Sequence, residues 1–140
     1  YLSFARKDTT NSKVATPTSP QITQATLPVD PDAESEYLAY NAEDFDKNKS
    51  KRRVLFFYAN WCITCRPVNA QFLKEANQIP DDVVVYRVNY KDSETDDQEK
   101  SLAEKYKITY QHTFVQVNEQ GSEIKKWNGG NLADLIKNVN

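Results

Sequence analysis

The chain has 140 residues, a length that allows one compact domain with some additional chain and excludes a multidomain enzyme within this stretch. Its 18 basic and 20 acidic side chains give a formal net charge of −2, and 39% of the residues are hydrophobic. This balance has neither the positive charge of a nucleic-acid-binding domain nor the apolar content of a membrane-spanning protein, so we expect a soluble globular domain.

The first part of the chain has a different composition from the rest. Four of the six prolines lie before residue 32, in a stretch rich in Thr, Ser and Gln that shows neither helical nor strand periodicity. Such a stretch buries too little apolar surface to offset the entropy of ordering it. We therefore predict a flexible linker over residues 1–34 and one folded domain over residues 35–140. The alternative is an extended arm that packs on the domain through Ile22, Leu27 and Val29.

Strands and helices alternate in the pattern of the predicted domain. Apolar and β-branched runs indicate strands, and capping residues or apolar spacings of three and four indicate helices. In chain order the predicted elements are a strand at 37–40, a helix beginning at Asn41, a strand at 54–58, a helix at 62–78, a strand at 83–89, a helix at 96–107, strands at 113–117 and 122–127, and a helix capped by Asn131. The helix at 62–78 is predicted to bury Val68, Phe72, Leu73 and Ala76. The last helix is predicted to bury Leu132, Leu135 and Ile136. Alternating elements predict parallel pairing, and the hairpin at 118–121 predicts an antiparallel addition, so the fold class is α/β with a mixed central sheet flanked by helices.

The only two cysteines, Cys62 and Cys65, lie where a buried strand ends and the long helix begins. Open α/β sheets place their active sites at this position. Residues three apart at a helix start share one face, at a separation that a disulfide bond allows. The positive end of the helix stabilises a thiolate at Cys62, and Cys65 lies one turn deeper, placed to resolve a mixed disulfide.

Three other interpretations of the cysteine pair compete with redox chemistry. A structural zinc site needs two further ligands, and the chain has only one histidine. A purely structural disulfide across so short a loop removes little entropy from the unfolded chain. Two inert buried thiols are the third possibility, and redox chemistry remains the favoured interpretation.

The segment Val54-Leu55-Phe56-Phe57-Tyr58-Ala59-Asn60-Trp61-Cys62-Ile63-Thr64-Cys65 closely resembles the strand and WCxxC turn of the thioredoxin superfamily. The segment from Tyr106 to Phe114 is similar to the loop and strand that face that turn, and the resemblance covers roughly residues 37–140. It implies a thioredoxin fold and thiol–disulfide exchange, with Cys62 attacking, Cys65 resolving and no cofactor besides the redox-active pair. It also implies protein disulfides and an upstream redox protein as partners, and a substrate-binding or modulating surface formed by Trp61, Gln111, His112 and Thr113. For Trp61, a role in packing alone is the alternative.

The chain departs from the family pattern at three positions. Phe56 stands where thioredoxins usually carry a buried acid, so proton transfer from the deeper thiol must use water or another group. The family's helix proline is replaced by Ala70, while Pro67 predicts a slight kink or a helix start near residue 63. His112 stands where the family generally has a cis-proline before Thr113. This histidine is a proton or thiolate partner of the cysteines, a third metal ligand beside them, or neither.

These observations leave three classes of function. The favoured one is a thiol–disulfide oxidoreductase that reduces protein disulfides, because Ile63 and Thr64 between the cysteines are neutral, with an oxidase or isomerase as its variant. The second is a metal-binding domain or metallochaperone that holds copper through Cys62, Cys65 and His112. The third, an adaptor that only binds partners, is weaker because both cysteines are present.

Two charged features near the motif receive structural interpretations. Arg66 favours an anionic thiolate or is simply an exposed helix residue, and the second interpretation is preferred. The acidic run at residues 92–97 lacks the spacing and the glycine of an EF-hand, so we interpret it as a solvated helix start.

The sequence also carries signs of location. It contains no methionine, and Tyr1–Phe4 followed by Arg6 and Lys7 fit the remnant of a removed anchor or signal segment. Together with the linker and the restriction of cysteine to one pair, this favours a monomeric domain tethered to a membrane outside the cytoplasm, in the periplasm or cell envelope. A cytoplasmic location is the alternative.

Overall fold

The computed structural model describes residues 36–139, and the predicted linker over residues 1–34 lies outside them. The elements are β1 (Tyr37–Ala39), α1 (Ala42–Lys47), β2 (Arg52–Tyr58), α2 (Cys65–Lys74), a 3-10 turn (Ala76–Gln78), β3 (Val83–Asn89), α3 (Asp97–Lys105), β4 (Thr113–Val117), β5 (Glu123–Asn128) and α4 (Leu132–Asn138). This order matches the predicted alternation of strands and helices.

The strands form one five-stranded sheet in the order β1-β3-β2-β4-β5. The first three strands in this order run parallel, while β4 is antiparallel to β2 and β5 is antiparallel to β4. The predicted mixed α/β fold is therefore confirmed. Because β2 is paired on both sides and covered on both faces, its apolar run Val54–Phe57 is completely buried.

Alternate residues of β2 point to opposite faces of the sheet and enter two separate cores. The face that carries the cysteines, which we call the cysteine face, includes Phe56, Cys62, Cys65, Phe72 and Phe114. The opposite face, which we call the tyrosine face, includes Leu55, Phe57, Tyr86, Tyr90 and Tyr106. The redox pair therefore lies at the edge of an aromatic core.

Helix α2 begins later than predicted. Thr64 is its N-cap and Cys65 its first residue, so Cys62 lies in the turn between β2 and the helix. Pro67 is the third helical residue, where a backbone N–H has no partner within the helix, so the proline removes no helical hydrogen bond. The helix ends at Lys74, and the residues predicted to complete it form the separate 3-10 turn.

The predicted burial of two helix residues is wrong. Leu73 is 62% exposed and Ile136 is 40% exposed. Helix α2 buries the stripe Cys65, Val68 and Phe72, and Leu73 lies one position beyond it. Helix α4 buries Leu132 and Leu135, which leaves Ile136 at the margin of the contact.

Side chains cap the other helices. Asn41 accepts a hydrogen bond from the backbone N–H of Asp44, and Asn131 accepts one from Asp134, as the sequence predicted. Asp96 caps α3 in a reciprocal arrangement with Glu99. Within residues 36–139, no helix has the length and apolar character that a membrane crossing requires.

Candidate functional site

Cys62 and Cys65 form a disulfide bond at the carboxyl end of β2, with their Cα atoms 5.2 Å apart. Cys62 is 3% exposed and Cys65 is completely buried. The backbone N–H of Cys65 donates a hydrogen bond to Sγ of Cys62 at 3.1 Å. Because this N–H belongs to the first turn of α2, it has no partner within the helix and stabilises negative charge on Sγ of Cys62.

Thr64 links the disulfide to His112. Its hydroxyl oxygen lies 3.4 Å from Sγ of Cys62 and 3.0 Å from Nδ1 of His112. The sequence predicts for Thr64 only a neutral residue between the cysteines. A hydroxyl two residues after a nucleophilic cysteine can be recognised from the sequence as a possible hydrogen-bonding partner. The contact of Thr64 with His112 depends on the tertiary fold.

The backbone of His112 is held in a left-handed conformation. Its φ angle is 61°, a region that residues other than glycine enter at some cost in free energy. Its N–H donates to the carbonyl of Phe57 at 2.7 Å, and its carbonyl accepts from the N–H of Gly129 at 2.7 Å. Proline has φ near −65° and no N–H, so a proline cannot occupy this backbone without rearrangement.

The hydrogen bonds of the His112 ring define its neutral tautomer. Nε2 lies 2.9 Å from the carbonyl oxygen of Gly130, which only accepts, so Nε2 carries the proton. Nδ1 then has the free lone pair and accepts from the hydroxyl of Thr64. The lone pair on Nδ1 of His112 therefore points to the Thr64 hydroxyl, which in turn contacts Sγ of Cys62.

The three residues proposed as metal ligands are brought together. The ligand atoms of Cys62, Cys65 and His112 lie within 4.8 Å of one another, and all three residues are buried. In the sequence, β3 and α3 lie between the cysteines and His112. Pairing between β2 and β4 brings His112 next to the cysteines.

Phe56 stands where the resemblance to thioredoxins implies a buried acid. It is completely buried, stacks on Phe114 at 4.6 Å between ring centroids, and lies 5.7 Å from the ring of His112. Phe72 packs against it edge-on from α2. The residues beneath the disulfide therefore contribute aromatic packing instead of a proton acceptor.

A groove of about 620 Å³ runs beside the disulfide. Its lining includes Ile63, Thr64, Tyr110, Gln111 and His112. Ile63 is 81% exposed and Tyr110 is 67% exposed, so large apolar side chains face solvent in this groove. This surface is suited to an extended, partly apolar peptide.

Of the remaining predicted site residues, Gln111 lines this groove, while Trp61 and Thr113 do not. Trp61 is 53% exposed beside Cys62, and its Nε1 donates to the carbonyl of Lys91 at 2.8 Å. The carbonyl of Gln111 accepts a hydrogen bond from Nδ2 of Asn128 at 3.0 Å.

Thr113 and Arg66 do not line the groove. Thr113 is buried, and its hydroxyl donates to the carbonyl of Tyr110 at 2.7 Å. Nδ2 of Asn128 also donates to this hydroxyl oxygen at 2.9 Å, so Thr113 shapes the loop before β4. Arg66 is exposed, in agreement with the preferred structural interpretation.

Asp92 braces the turn before the cysteines, a role that the sequence analysis missed. Its carboxylate accepts from the backbone N–H of Asn60 at 2.8 Å, from that of Glu94 at 2.9 Å and from the hydroxyl of Thr95 at 2.8 Å. The predicted solvated helix start is thus also a support for the redox turn. The Asp-x-x-Thr spacing is a local turn signal, but the bond to Asn60 has no counterpart in local sequence.

The Thioredoxin family model matches residues 36–140. The chain belongs to the thioredoxin family. Thioredoxin-T of Drosophila melanogaster is 27% identical to this chain over 108 residues, which are 74% of this chain and 59% of that protein. The chain thus spans about three fifths of the length of this relative.

Solved structures give the same result for the fold. The X-ray structure of Fasciola hepatica thioredoxin is 28% identical, with a TM-score of 0.55, covering 74% of this chain and 99% of that one. A redox protein from Chlamydomonas reinhardtii matches at 22% identity with a TM-score of 0.59, covering 74% of this chain and 34% of that one. The predicted resemblance is confirmed, and the family together with the CxxC pair supports a thiol–disulfide oxidoreductase.

Proposed function

We propose that this domain is a thiol–disulfide oxidoreductase that reduces disulfide bonds in protein substrates. The observation that carries the proposal is the disulfide between Cys62 and Cys65 at the start of α2, where the N–H of Cys65 donates to Sγ of Cys62. A sulfur that accepts such a bond is stabilised as a thiolate, and the thiolate is the nucleophile in disulfide exchange.

In the reduced domain the Cys62 thiolate attacks one sulfur of a substrate disulfide. The bond from Cys62 to that sulfur forms, the substrate S–S bond breaks, and the second substrate sulfur leaves as a thiolate that takes a proton. Cys65 then loses its proton and attacks Sγ of Cys62, which releases the first substrate sulfur and forms the disulfide seen here. Two electrons pass to the substrate, and an upstream dithiol protein restores them.

The environment of Cys62 supports reduction as the direction of exchange. Within residues 36–139, the polar groups in contact with its sulfur are the backbone N–H of Cys65 and the hydroxyl of Thr64, which is shared with Nδ1 of His112, and both groups are neutral. Strongly oxidising members of such systems depend on a very stable thiolate, which a nearby cation supplies. Neutral donors stabilise the thiolate less, so the disulfide of this domain is a weaker oxidant.

The exposed apolar residues around the pair support protein substrates. Ile63 and Tyr110 line the groove beside the disulfide, and the exposed Trp61 directly precedes Cys62 in the chain. Their burial against a partly unfolded or loop segment gains free energy that a small disulfide such as glutathione does not provide.

The test of the redox function is reduction of insulin disulfides by the wild-type protein, Cys62→Ser and Cys65→Ser, with dithiothreitol as the electron source. We expect Cys62→Ser to be inactive and Cys65→Ser to accumulate a mixed disulfide with the substrate that mass spectrometry detects. Full activity of Cys62→Ser rejects the mechanism. Equilibration with glutathione tests the direction: a potential near about −270 mV supports a reductase, and one near about −120 mV indicates an oxidase.

We further propose that the domain works outside the cytoplasm, tethered N-terminally to a membrane, as the composition of residues 1–34 and the restriction of cysteine to one pair suggest. Fractionation of cells that express the complete protein tests this location. Recovery in the envelope or periplasmic fraction supports it, and recovery with cytoplasmic markers rejects it.

A further inference from the structure

We propose that the reduced domain binds one Cu(I) ion through Sγ of Cys62, Sγ of Cys65 and Nδ1 of His112. This binding activity goes beyond disulfide exchange, although it uses the same two cysteines. Its basis is the convergence of three buried ligand atoms within 4.8 Å of one another. Two soft thiolates and an imidazole form a donor set that suits Cu(I).

The distances between the ligand atoms fit a three-coordinate ion. Metal–sulfur bonds of about 2.3 Å and metal–nitrogen bonds of about 2.0 Å place trigonal ligand atoms about 4 Å from one another. The imidazole of His112 already lies within 4.8 Å of both sulfurs. The main change that binding requires is separation of the two sulfurs, which reduction of the disulfide produces.

The hydrogen bonds of His112 prepare one ring nitrogen for coordination. Nε2 donates to the carbonyl of Gly130, an arrangement that orients a ligating histidine and fixes its tautomer. Nδ1 keeps its lone pair and accepts from the hydroxyl of Thr64. A metal ion takes the place of that hydroxyl proton, and the exposed Thr64 turns its hydroxyl to solvent or to Cys62.

The surroundings of the cluster favour Cu(I) over Zn(II). Zinc in proteins prefers four ligands in a tetrahedral arrangement, and the cluster found among residues 36–139 offers three. The ring of Phe56 packs beside His112 and offers no hard oxygen ligand to the cluster. A soft ion that is stable with three ligands matches this site better than a hard or four-coordinate one.

Binding is not itself a redox step. The disulfide first takes two electrons and two protons from a dithiol reductant, which gives the two thiols. Cu(I) then displaces one proton from each thiol, forms two Cu–S bonds and one Cu–N bond, and remains in the +1 state. Because the bound ion occupies both thiolates, the copper-loaded domain does not reduce disulfides.

The experiment titrates the reduced protein with Cu(I) under anaerobic conditions against the chelator bathocuproine disulfonate. The main variant is His112→Asn, since asparagine tolerates the left-handed backbone that proline does not. The control is Arg66→Gln, an exposed position on the first turn of α2 that has no place in the cluster. We expect one Cu(I) per chain for the wild type and the control, and binding at least tenfold weaker for His112→Asn.

Copper X-ray absorption of the loaded wild type is expected to show two sulfur ligands and one nitrogen ligand, with the nitrogen lost in His112→Asn. Equal affinity of the wild type and His112→Asn, or tighter retention of Zn(II) than of Cu(I), overturns the proposal. Failure of the wild type to bind Cu(I) while it still reduces insulin overturns the copper site and leaves the redox function in place. Copper binding without insulin reduction supports the site and rejects the redox function.

Discussion

The two ends of β2 carry buried polar groups that are held in opposite ways. At the amino end, Arg53 is 2% exposed, and its guanidinium donates to the carbonyls of Phe45 at 2.7 Å, Asn118 at 2.7 Å and Glu119 at 3.2 Å. The guanidinium also stacks over the ring of Phe45 at 4.1 Å. Burial lowers the pKa of Arg53, yet these carbonyl dipoles stabilise its charge.

At the carboxyl end, the sulfur of Cys62 has fewer hydrogen-bonding partners than Arg53, and one of them can rotate away. One backbone N–H and the exposed Thr64 hydroxyl touch it, and the hydroxyl is shared with His112. A buried polar group therefore contributes to stability when several fixed partners hold it. It remains available for chemistry when its partners are few and one of them can rotate.

The largest effect is expected at the amino end. Arg53→Met keeps the apolar stem and the contact with Phe45 but removes three hydrogen bonds to carbonyl groups, of which the Asn118 carbonyl still accepts from the N–H of Gly121 at 2.9 Å. We expect the free energy of unfolding to fall by about 3 kcal/mol, measured by urea denaturation, with unchanged insulin reduction per folded molecule. A loss below about 1 kcal/mol, or a redox defect in the folded variant, would contradict a purely stabilising role of Arg53.

A smaller effect on stability is expected for Asp92→Ala, because the carboxylate links the redox turn to the start of α3. Removing its bonds to Asn60, Glu94 and Thr95 is expected to cost about 1–2 kcal/mol of unfolding free energy and to slow insulin reduction severalfold. The matched control is Asp97→Ala, an exposed acid of the same run that only pairs with Lys100 at 3.6 Å. Equal behaviour of the two variants would show that Asp92 does not support the turn.

Thr64→Val sharpens the description of the reactive end, since valine has the shape of threonine without its hydroxyl. We expect the rate at which the reduced domain attacks a substrate disulfide to fall by about three- to tenfold in stopped-flow measurements, because the Thr64 hydroxyl can turn from Nδ1 of His112 and donate to the Cys62 thiolate once the pair is reduced. Stability is expected to change by less than about 0.5 kcal/mol, because Thr64 is exposed. Thr64→Ser should keep the wild-type rate, and a serine variant as slow as the valine variant would contradict the role of the hydroxyl.

The smallest effect concerns the ion pair next to Arg53. Arg52 donates to Asp82 at 2.7 Å and lowers the pKa of that carboxyl below its ordinary value. Because the pKa is lower in the folded state than in the unfolded state, the stabilisation is present at neutral pH and is lost as the pH falls through the folded-state value. Asp82→Asn should therefore differ slightly from the wild type in thermal unfolding at pH 7, and the difference should shrink as the pH falls through the acid range; a difference that grows in acid would contradict this sign.

Local patterns in the sequence were sufficient for most of the fold. The apolar run 54–57, the caps at Asn41 and Asn131 and the alternation of elements predicted a mixed sheet that the structure confirms. The predictions for Leu73 and Ile136 were wrong because helical periodicity does not specify how wide a stripe the neighbouring elements cover.

For the redox pair, the sequence by itself determined the two cysteines, their spacing and their place at the end of a buried strand, because these depend on neighbours along the chain. Only the tertiary structure decided that Thr64 bridges Cys62 and His112, and that Asp92 holds the turn at Asn60. Those contacts join residues that the sheet brings together from distant segments. Hydrogen bonds act over about 3 Å, so their partners follow from the packing of β2 against its neighbours and not from the local pattern.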